Sequence, residues 1–204
     1  MKFSVIDTET TGLDPATSAV LEVAVLHLDD EGGAPELWHT YIKPTADELA
    51  QAQPRALEVN GYAANPLLWD DAPTFDEVLP ELQARLRRRI PVGHNVHFDL
   101  GMIRANAARR HRKFYVSSRA VDTIALAMEH LEPLGLQRFS LDAVRRFLGW
   151  HSTGAHTAIV DVRQTADLFR LLWRCTGREQ LAIYTARQDG LPAVPPEYLL
   201  GGRD

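Results

Sequence analysis

Cysteine is almost missing from this chain, with one residue, Cys175, among 204. That excludes an internal disulfide and any cysteine-rich zinc site. The one thiol sits in the apolar run Leu171-Leu-Trp-Arg-Cys175 and reads as a packed helix residue rather than a reactive group. Long apolar runs are missing too. No stretch approaches the ~20 residues of a membrane span, so no membrane partner is expected. The first residues lead straight into a strand pattern without a secretory leader, which points to the cytoplasm. Nor is positive charge in surplus, since 22 Lys and Arg face 27 Asp and Glu for a formal net charge of −5. That balance argues against a protein that coats long stretches of nucleic-acid duplex. It leaves room for one that grips only a few nucleotides.

What is present is ordinary for a globular domain. Hydrophobic residues make up 45% and charged residues 24%, in a length that suits one compact core. Lys2 to Ile6 alternates and is β-branched, which predicts a central strand delivering Asp7 at its end. Two more strands are expected, from Val20 to Leu28 and from Leu37 to Ile42, joined through Asp29-Asp30-Glu31-Gly32-Gly33 as an antiparallel meander. Residues 43 to 73 carry Pro44, Pro54, Pro66 and Pro73 and predict short helical pieces on the substrate side. Thr74 with Glu77 forms a capping box for a helix to about Arg88. Pro91 to Gly93 and Arg119 to Val121 read as short strands. Helices follow from near Asp99 to Asn106, from Asp122 to Glu129, from Ser140 to Leu148 and from His156 to Arg174. Strand–helix alternation after a meander gives an α/β domain with a partly parallel sheet flanked by helices. The domain is expected to span residues 1 to 187, with a Pro- and Gly-rich tail from 188 to 204.

The chemistry lies in four carboxylates in three separated blocks. Asp7 and Glu9 stand in Phe3-Ser-Val-Ile-Asp-Thr-Glu-Thr-Thr-Gly-Leu13, Asp99 in Val92-Gly-His-Asn-Val-His-Phe-Asp99, and Asp161 in His156-Thr-Ala-Ile-Val-Asp161. Asp7 and Glu9 are two apart, so both point to one face of an extended segment. Like charges that close repel unless a cation lies between them. Hard divalent cations prefer carboxylate oxygens, and a two-metal site needs about this many. His156 and Asp161 are offset by roughly 140° on a regular helix. They can converge only if His156 lies just ahead of the helix, where a side chain of pKa ~6.5 can serve as a base.

Other polar features have two readings each. His94 and His97 suit packing or hydrogen bonding better than metal ligation, because their spacing crosses a strand–turn junction. Asn95 suits backbone bonding at that turn. The hydroxyls of Thr8, Thr10 and Thr11 can serve backbone or substrate. Arg85, Arg87, Arg88 and Arg89, and again Arg109, Arg110, Arg112 and Lys113, read as solvated helix ends that can also track phosphates, as can Arg163. Trp38, Trp69, Trp150 and Trp173 read as packing residues.

Together the three blocks resemble the DEDDh, or DnaQ-like, branch of the 3′–5′ exonucleases, which contains polymerase proofreading subunits, RNase T and oligoribonuclease. Asp-x-Glu-Thr-Thr-Gly, His-Asn-x-x-Phe-Asp and His-x-Ala-x-x-Asp all occur here in order. Val121-Asp122-Thr123 and Leu141-Asp-Ala-Val-Arg-Arg-Phe-Leu-Gly149 add to the likeness, which covers roughly residues 2 to 175. The resemblance implies an RNase H-like mixed sheet and two Mg²⁺ or Mn²⁺ ions held by Asp7, Glu9, Asp99 and Asp161, with His156 as general base. Leu13 falls where the family wedges an apolar side chain against terminal bases. Asn60 stands where the family often has a nucleotide-contacting histidine, so Thr10, Leu13, Asn60 and Asn95 are the expected substrate contacts. The implied activity is release of 5′-mononucleotides from single-stranded DNA 3′ ends. RNA 3′-end trimming, or docking as a polymerase subunit in replication, is the alternative.

Overall fold

The computed structural model describes residues 1–28, 36–151 and 157–193. Its centre is a five-stranded sheet in the order β3-β2-β1-β4-β5. Strands β1 (Phe3–Thr10), β2 (Val20–Leu28) and β3 (Leu37–Tyr41) form the expected antiparallel meander. β4 (Ile90–Gly93) returns parallel to β1, and β5 (Val121–Asp122) lies parallel to β4. The turn expected at residues 29 to 33 lies outside the described residues.

β1 is central and longer than its apolar alternation predicts. It runs on to Thr10, so Asp7 and Glu9 lie within the strand rather than at its end. The extension is held from one side, because β2 pairs with β1 as far as Thr10↔Val20, with a register shift after Glu9. β4 pairs with β1 only at Phe3, Ser4 and Val5. The far half of β1 therefore has backbone groups open on that side.

The period-two alternation of β1 sorts its side chains between two layers. Ile6 faces a core built with α3 (Phe75–Leu86) and α4 (Val96–Arg109), in which Phe75, Leu82, Leu100 and Ile103 are buried. Phe3 and Val5 face the other core, which α7 (Ala158–Leu172) covers with Ala158, Val162, Ala166 and Phe169. These four α7 residues recur at helical spacing and give the helix one apolar stripe. Asp7 and Glu9 share parity with Phe3 and Val5, so they point toward the α7 side. Asp161 sits in the first turn of that helix.

The remaining elements frame this arrangement. Helices α1 (Ala46–Ala50) and α2 (Pro54–Val59) and a 3-10 turn at Pro66–Trp69 supply the short pieces expected between β3 and α3. The Thr74–Glu77 capping box opens α3 as predicted. α5 (Thr123–His130) takes Asp122 as its N-cap, and α6 (Leu141–Leu148) starts at Ser140 and stops at Gly149, in the left-handed region with φ 71°. Helix α8 (Gly177–Gln188) has no counterpart in the sequence reading, although its Thr176–Glu179 capping box was readable. Cys175 lies in the turn between α7 and α8 rather than inside a helix, and burial pushes its thiol pKa up. Leu191 and Ala193 bond back to Ala186 and Leu148, which folds residues 191–193 onto α6 and α8. Among the described residues no helix is long and apolar enough to cross a membrane.

Candidate functional site

The parity of β1 and the placement of α7 converge on one point. Asp7, Glu9 and Asp161 each present a carboxylate oxygen within 4.8 Å of the others. Among the described residues no hydrogen bond or ion pair reaches the side chain of Asp7 or Glu9. Burial pushes the Asp7 carboxyl well above its ordinary range, and the charges of Asp99, Glu9, Asp161 and Glu22 push it further. Glu9 is raised to about 8, first by burial and then by Asp161, Glu22 and Asp99. A cluster of repelling, hard oxygen donors, two of them without a cation partner among the described residues, fits a divalent metal.

Asp99 reaches the same region from the opposite layer. It sits in the first turn of α4, and its Oδ1 accepts the Thr8 amide at 2.9 Å and the Thr8 hydroxyl at 2.8 Å. Thr8 has the parity that faces α4, and its amide lies on the half of β1 that β4 leaves open. The carboxylate thus takes the place of a missing ladder partner. Burial raises Asp99 to about 7 against the lowering effect of those two bonds. One of its oxygens is occupied by Thr8, and the carboxylate stands apart from the close trio.

The turn that delivers Asp99 is built around two residues. Asn95 adopts the left-handed region with φ 72° and donates its amide to Asp122 Oδ1, which also accepts the amide of Ile124. A Cβ on Gly93 would lie 3.0 Å from Val96 Cα, so this crossing of strand and helix has no room for a larger residue. His94 is a hydrogen-bonding residue: Nε2 donates to the Phe139 carbonyl at 2.7 Å, and Nδ1 lies 2.9 Å from the Thr123 hydroxyl. Burial holds its pKa below the usual value.

Of the expected substrate contacts, Thr10 ends β1, Leu13 lies on the loop that follows it, Asn60 closes α2 beside that loop, and Asn95 stands apart in the turn before α4. Asn60 is buried; its amide donates to the Thr10 carbonyl and its oxygen accepts from the Tyr62 amide. The Thr10 hydroxyl donates to the Gly12 carbonyl, and the Gln53 amide donates to the Thr11 carbonyl. A Cβ on Gly12 would approach Ser18 Oγ to 2.8 Å. Leu13, by contrast, is 73% exposed on this fixed loop. Asn95 is also exposed. His156 lies outside the described residues.

Most of the basic clusters have structural duties. Arg109 donates to the carbonyls of Pro15, Ala16 and Ser18 and clamps the Leu13 loop to α4. Arg110 pairs with Glu48, Arg112 with Asp76, and Arg85 with Glu36 and Glu81 while covering the Trp38 ring. Arg163 is exposed on α7. The tryptophans pack as expected: Trp69 Nε1 donates to the Leu21 carbonyl, and Trp173 meets Phe3 and Phe169.

Two features beside the trio escaped the sequence reading. Glu22, buried on β2 and paired in register with Glu9, accepts a 2.7 Å bond from His39 Nε2. An acid inside Val20-Leu-Glu-Val-Ala-Val was a legible signal, since strands buried on both faces are otherwise apolar. Arg145 on α6 is fully buried and bonded to Asp161. Nothing local distinguishes it from the neighbouring Arg146.

A profile of the exonuclease family RNase_T matches residues 4–169. The chain is 33% identical over 167 residues to DNA polymerase III PolC-type of Thermotoga petrophila, covering 82% of this chain and 11% of that protein. It is 31% identical to DNA polymerase III subunit epsilon of Aquifex aeolicus, covering 82% and 78%. Ribonuclease T of Shewanella frigidimarina is 32% identical, with 87% and 86% covered. The chain thus spans about a ninth of the PolC-type relatives and most of the other two. Among solved structures, the zinc-bound E. coli exonuclease I complex with single-stranded DNA superposes with a TM-score of 0.68 at 22% identity, covering 100% of this chain and 45% of that one. The mixed sheet is the RNase H-like arrangement that the motifs imply. From the extent of the profile match and the identity to full-length relatives, the chain belongs to the RNase_T exonuclease family.

Proposed function

We propose that this chain is a metal-dependent 3′–5′ exonuclease that releases nucleoside 5′-monophosphates from single-stranded DNA ends, in proofreading or repair. The observation that carries this reading is the meeting of Asp7, Glu9 and Asp161 within 4.8 Å, from a strand and a helix far apart in sequence. Asp99, fixed on Thr8, completes the proposed ligand set. Two Mg²⁺ or Mn²⁺ ions bound by these acids would lower the pKa of an attacking water and offset charge on the departing 3′-oxygen.

The chain's own residues supply the rest. His156, by the motif it heads, takes the proton of the attacking water. Asp7 and Glu9 need no reorganisation, because the pleat of the central strand fixes their separation. Leu13 is an exposed apolar side chain on a braced loop, a suitable wedge against terminal bases of any sequence. Thr10 and Asn60 brace that loop, and Asn95 is an exposed amide available to a substrate. Thr8→Val keeps the amide bond to Asp99 but removes the hydroxyl bond. Turnover is expected to fall by roughly 10- to 100-fold, the usual effect of losing an outer-shell partner. Single-turnover rates on a labelled oligonucleotide would check this, and an unchanged rate would count against Asp99 as a ligand.

The similarity to Ribonuclease T over most of its length favours RNA 3′-end trimming as the second reading. The similarity to polymerase III subunit epsilon favours a polymerase as a partner. One assay separates substrate from activity. Purified chain is given 5′-labelled single-stranded DNA and RNA of matched sequence with Mg²⁺, Mn²⁺ or EDTA, beside Asp161→Ala. The expected result is a metal-dependent ladder shortening from the 3′ end, lost in the variant and faster on DNA. Faster RNA cleavage would move the assignment to RNA trimming. No cleavage under any metal would overturn the enzyme.

A further inference from the structure

Arg145 has 0% of its side chain exposed, among the largest fully buried side chains of the described residues. Placing a guanidinium there is unfavourable unless its donors are met. They are met from α6 and α7: Nη1 donates to Asp142 Oδ1 at 2.8 Å, Nη2 to Asp161 Oδ1 at 2.5 Å, and Nε to Gln164 Oε1. Gln164 is steadied in turn by the carbonyl of His151, to which its Nε2 donates at 2.8 Å.

A plain clip between two helices would be complete with Asp142 and Gln164. The third partner is the acid that joins Asp7 and Glu9. Those two carboxylates repel Asp161, and a free rotamer would swing it toward solvent. Arg145 opposes that repulsion with a fixed positive charge and a planar fork that sets the carboxylate's orientation. Asp161 still keeps an oxygen within 4.8 Å of Asp7 and Glu9 while it is held. The contact therefore presents Asp161 to the cluster rather than drawing it away.

We propose that Arg145 is a positioning residue of the metal centre, fixing the Asp161 carboxylate where it shares a divalent cation with Asp7 and Glu9. The inference rests on the reading that these acids bind the catalytic metal. The test is Mn²⁺ titration of the full chain by calorimetry, with free Mn²⁺ counted by electron spin resonance, for wild type and Arg145→Met. The expected result is about a 10- to 100-fold weaker Mn²⁺ Kd in the folded variant, with the Mg²⁺ needed for half-maximal cleavage raised alike. A purely structural clip would lower the melting temperature and leave the Kd of the folded protein unchanged, which would overturn the proposal. Tighter binding in the variant would overturn it as well, since Arg145 would then compete with the metal. Should Arg145→Met not fold, Gln164→Leu removes the Nε acceptor and leaves the arginine. A weakening of about threefold or more is expected there, and an unchanged Kd would sink the idea. Equal binding by variant and wild type would leave the exonuclease assignment standing, whereas a wild type that binds no Mn²⁺ would bring down both.

Discussion

Asp7→Asn is expected to lower the cleavage rate by at least about a thousandfold while raising the melting temperature of the metal-free protein. The loss follows from electrostatics. Stabilising charge at a phosphoryl centre through bound metal is worth several kcal/mol, and each ~1.4 kcal/mol is a factor of ten. Asp7 is held on the central strand close to Glu9 and Asp161, and on the proposed reading it is one of the metal's ligands. The gain in stability has the same origin. The Asp7 carboxyl is pushed up by burial and by the charges of Asp99, Glu9, Asp161 and Glu22, and an amide of the same shape carries none of that repulsion. Relief of about 1 kcal/mol would raise the midpoint by roughly 2–4 °C in a chain of this size. Single-turnover cleavage and calorimetry in EDTA at pH 8 would measure both. A variant that keeps a tenth of the activity, or melts below wild type, would contradict this account of the site.

The metal-free protein should also lose stability as pH rises from about 5 to 8.5, the reverse of ordinary acid denaturation. Glu9 titrates near 8 in the folded chain against an ordinary 4.5, and Asp99 near 7 against 3.8. Folded-state values above unfolded ones mean that the native state holds the extra protons between those limits. Their contribution is fully present below about pH 4 and is lost as pH climbs through 7 and 8. Each such group weakens folding by about 1.4 kcal/mol per pH unit across its window. Glu36, Glu48, Glu77 and Glu179 are shifted downward and act in the opposite sense below their ordinary pKa of 4.5, and His27 and His94 do so below 6.5, so the fall is steepest above pH 6.5. Melting in EDTA across pH 5 to 8.5 is expected to fall by several degrees, and Glu9→Gln should flatten the curve. Mn²⁺ should restore stability most at the alkaline end, where protons no longer compete for the carboxylates. A midpoint that climbs steadily with pH in EDTA would refute the raised values.

Much of this was legible in the residues, and the failures have physical reasons. Val20–Leu28 and the Ser140-capped helix were readable because β-branched content and a capping hydroxyl act locally. The length of β1 was not, because its second half is held by pairing with β2 rather than by its own apolar alternation. Helix α8 was missed because it buries only Ile183, so its hydrophobic period is faint despite a complete capping box. Asp7, Glu9, Asp99 and Asp161 were singled out by motif spacing, but how they lie relative to one another was not legible there. Only the packing of α7 on one face and α4 on the other places Asp161 among the trio and Asp99 on Thr8. Arg145 was invisible for the same reason, since its partnership with Asp161 spans 16 residues and two helices.

Placing two acids inside the central strand has a further consequence for how the protein fails. The Asp7 and Glu9 amides belong to the ladder between β1 and β2, the kind of core structure in which hydrogen exchange usually requires the whole fold to open. The exposed Leu13 and Asn95 lie outside that ladder, where local opening costs less than opening the sheet. On the proposed reading, grip on substrate and integrity of the metal-binding centre are thereby assigned to different layers of stability. Heating should first weaken affinity for the oligonucleotide, while catalytic competence persists until the sheet itself comes apart.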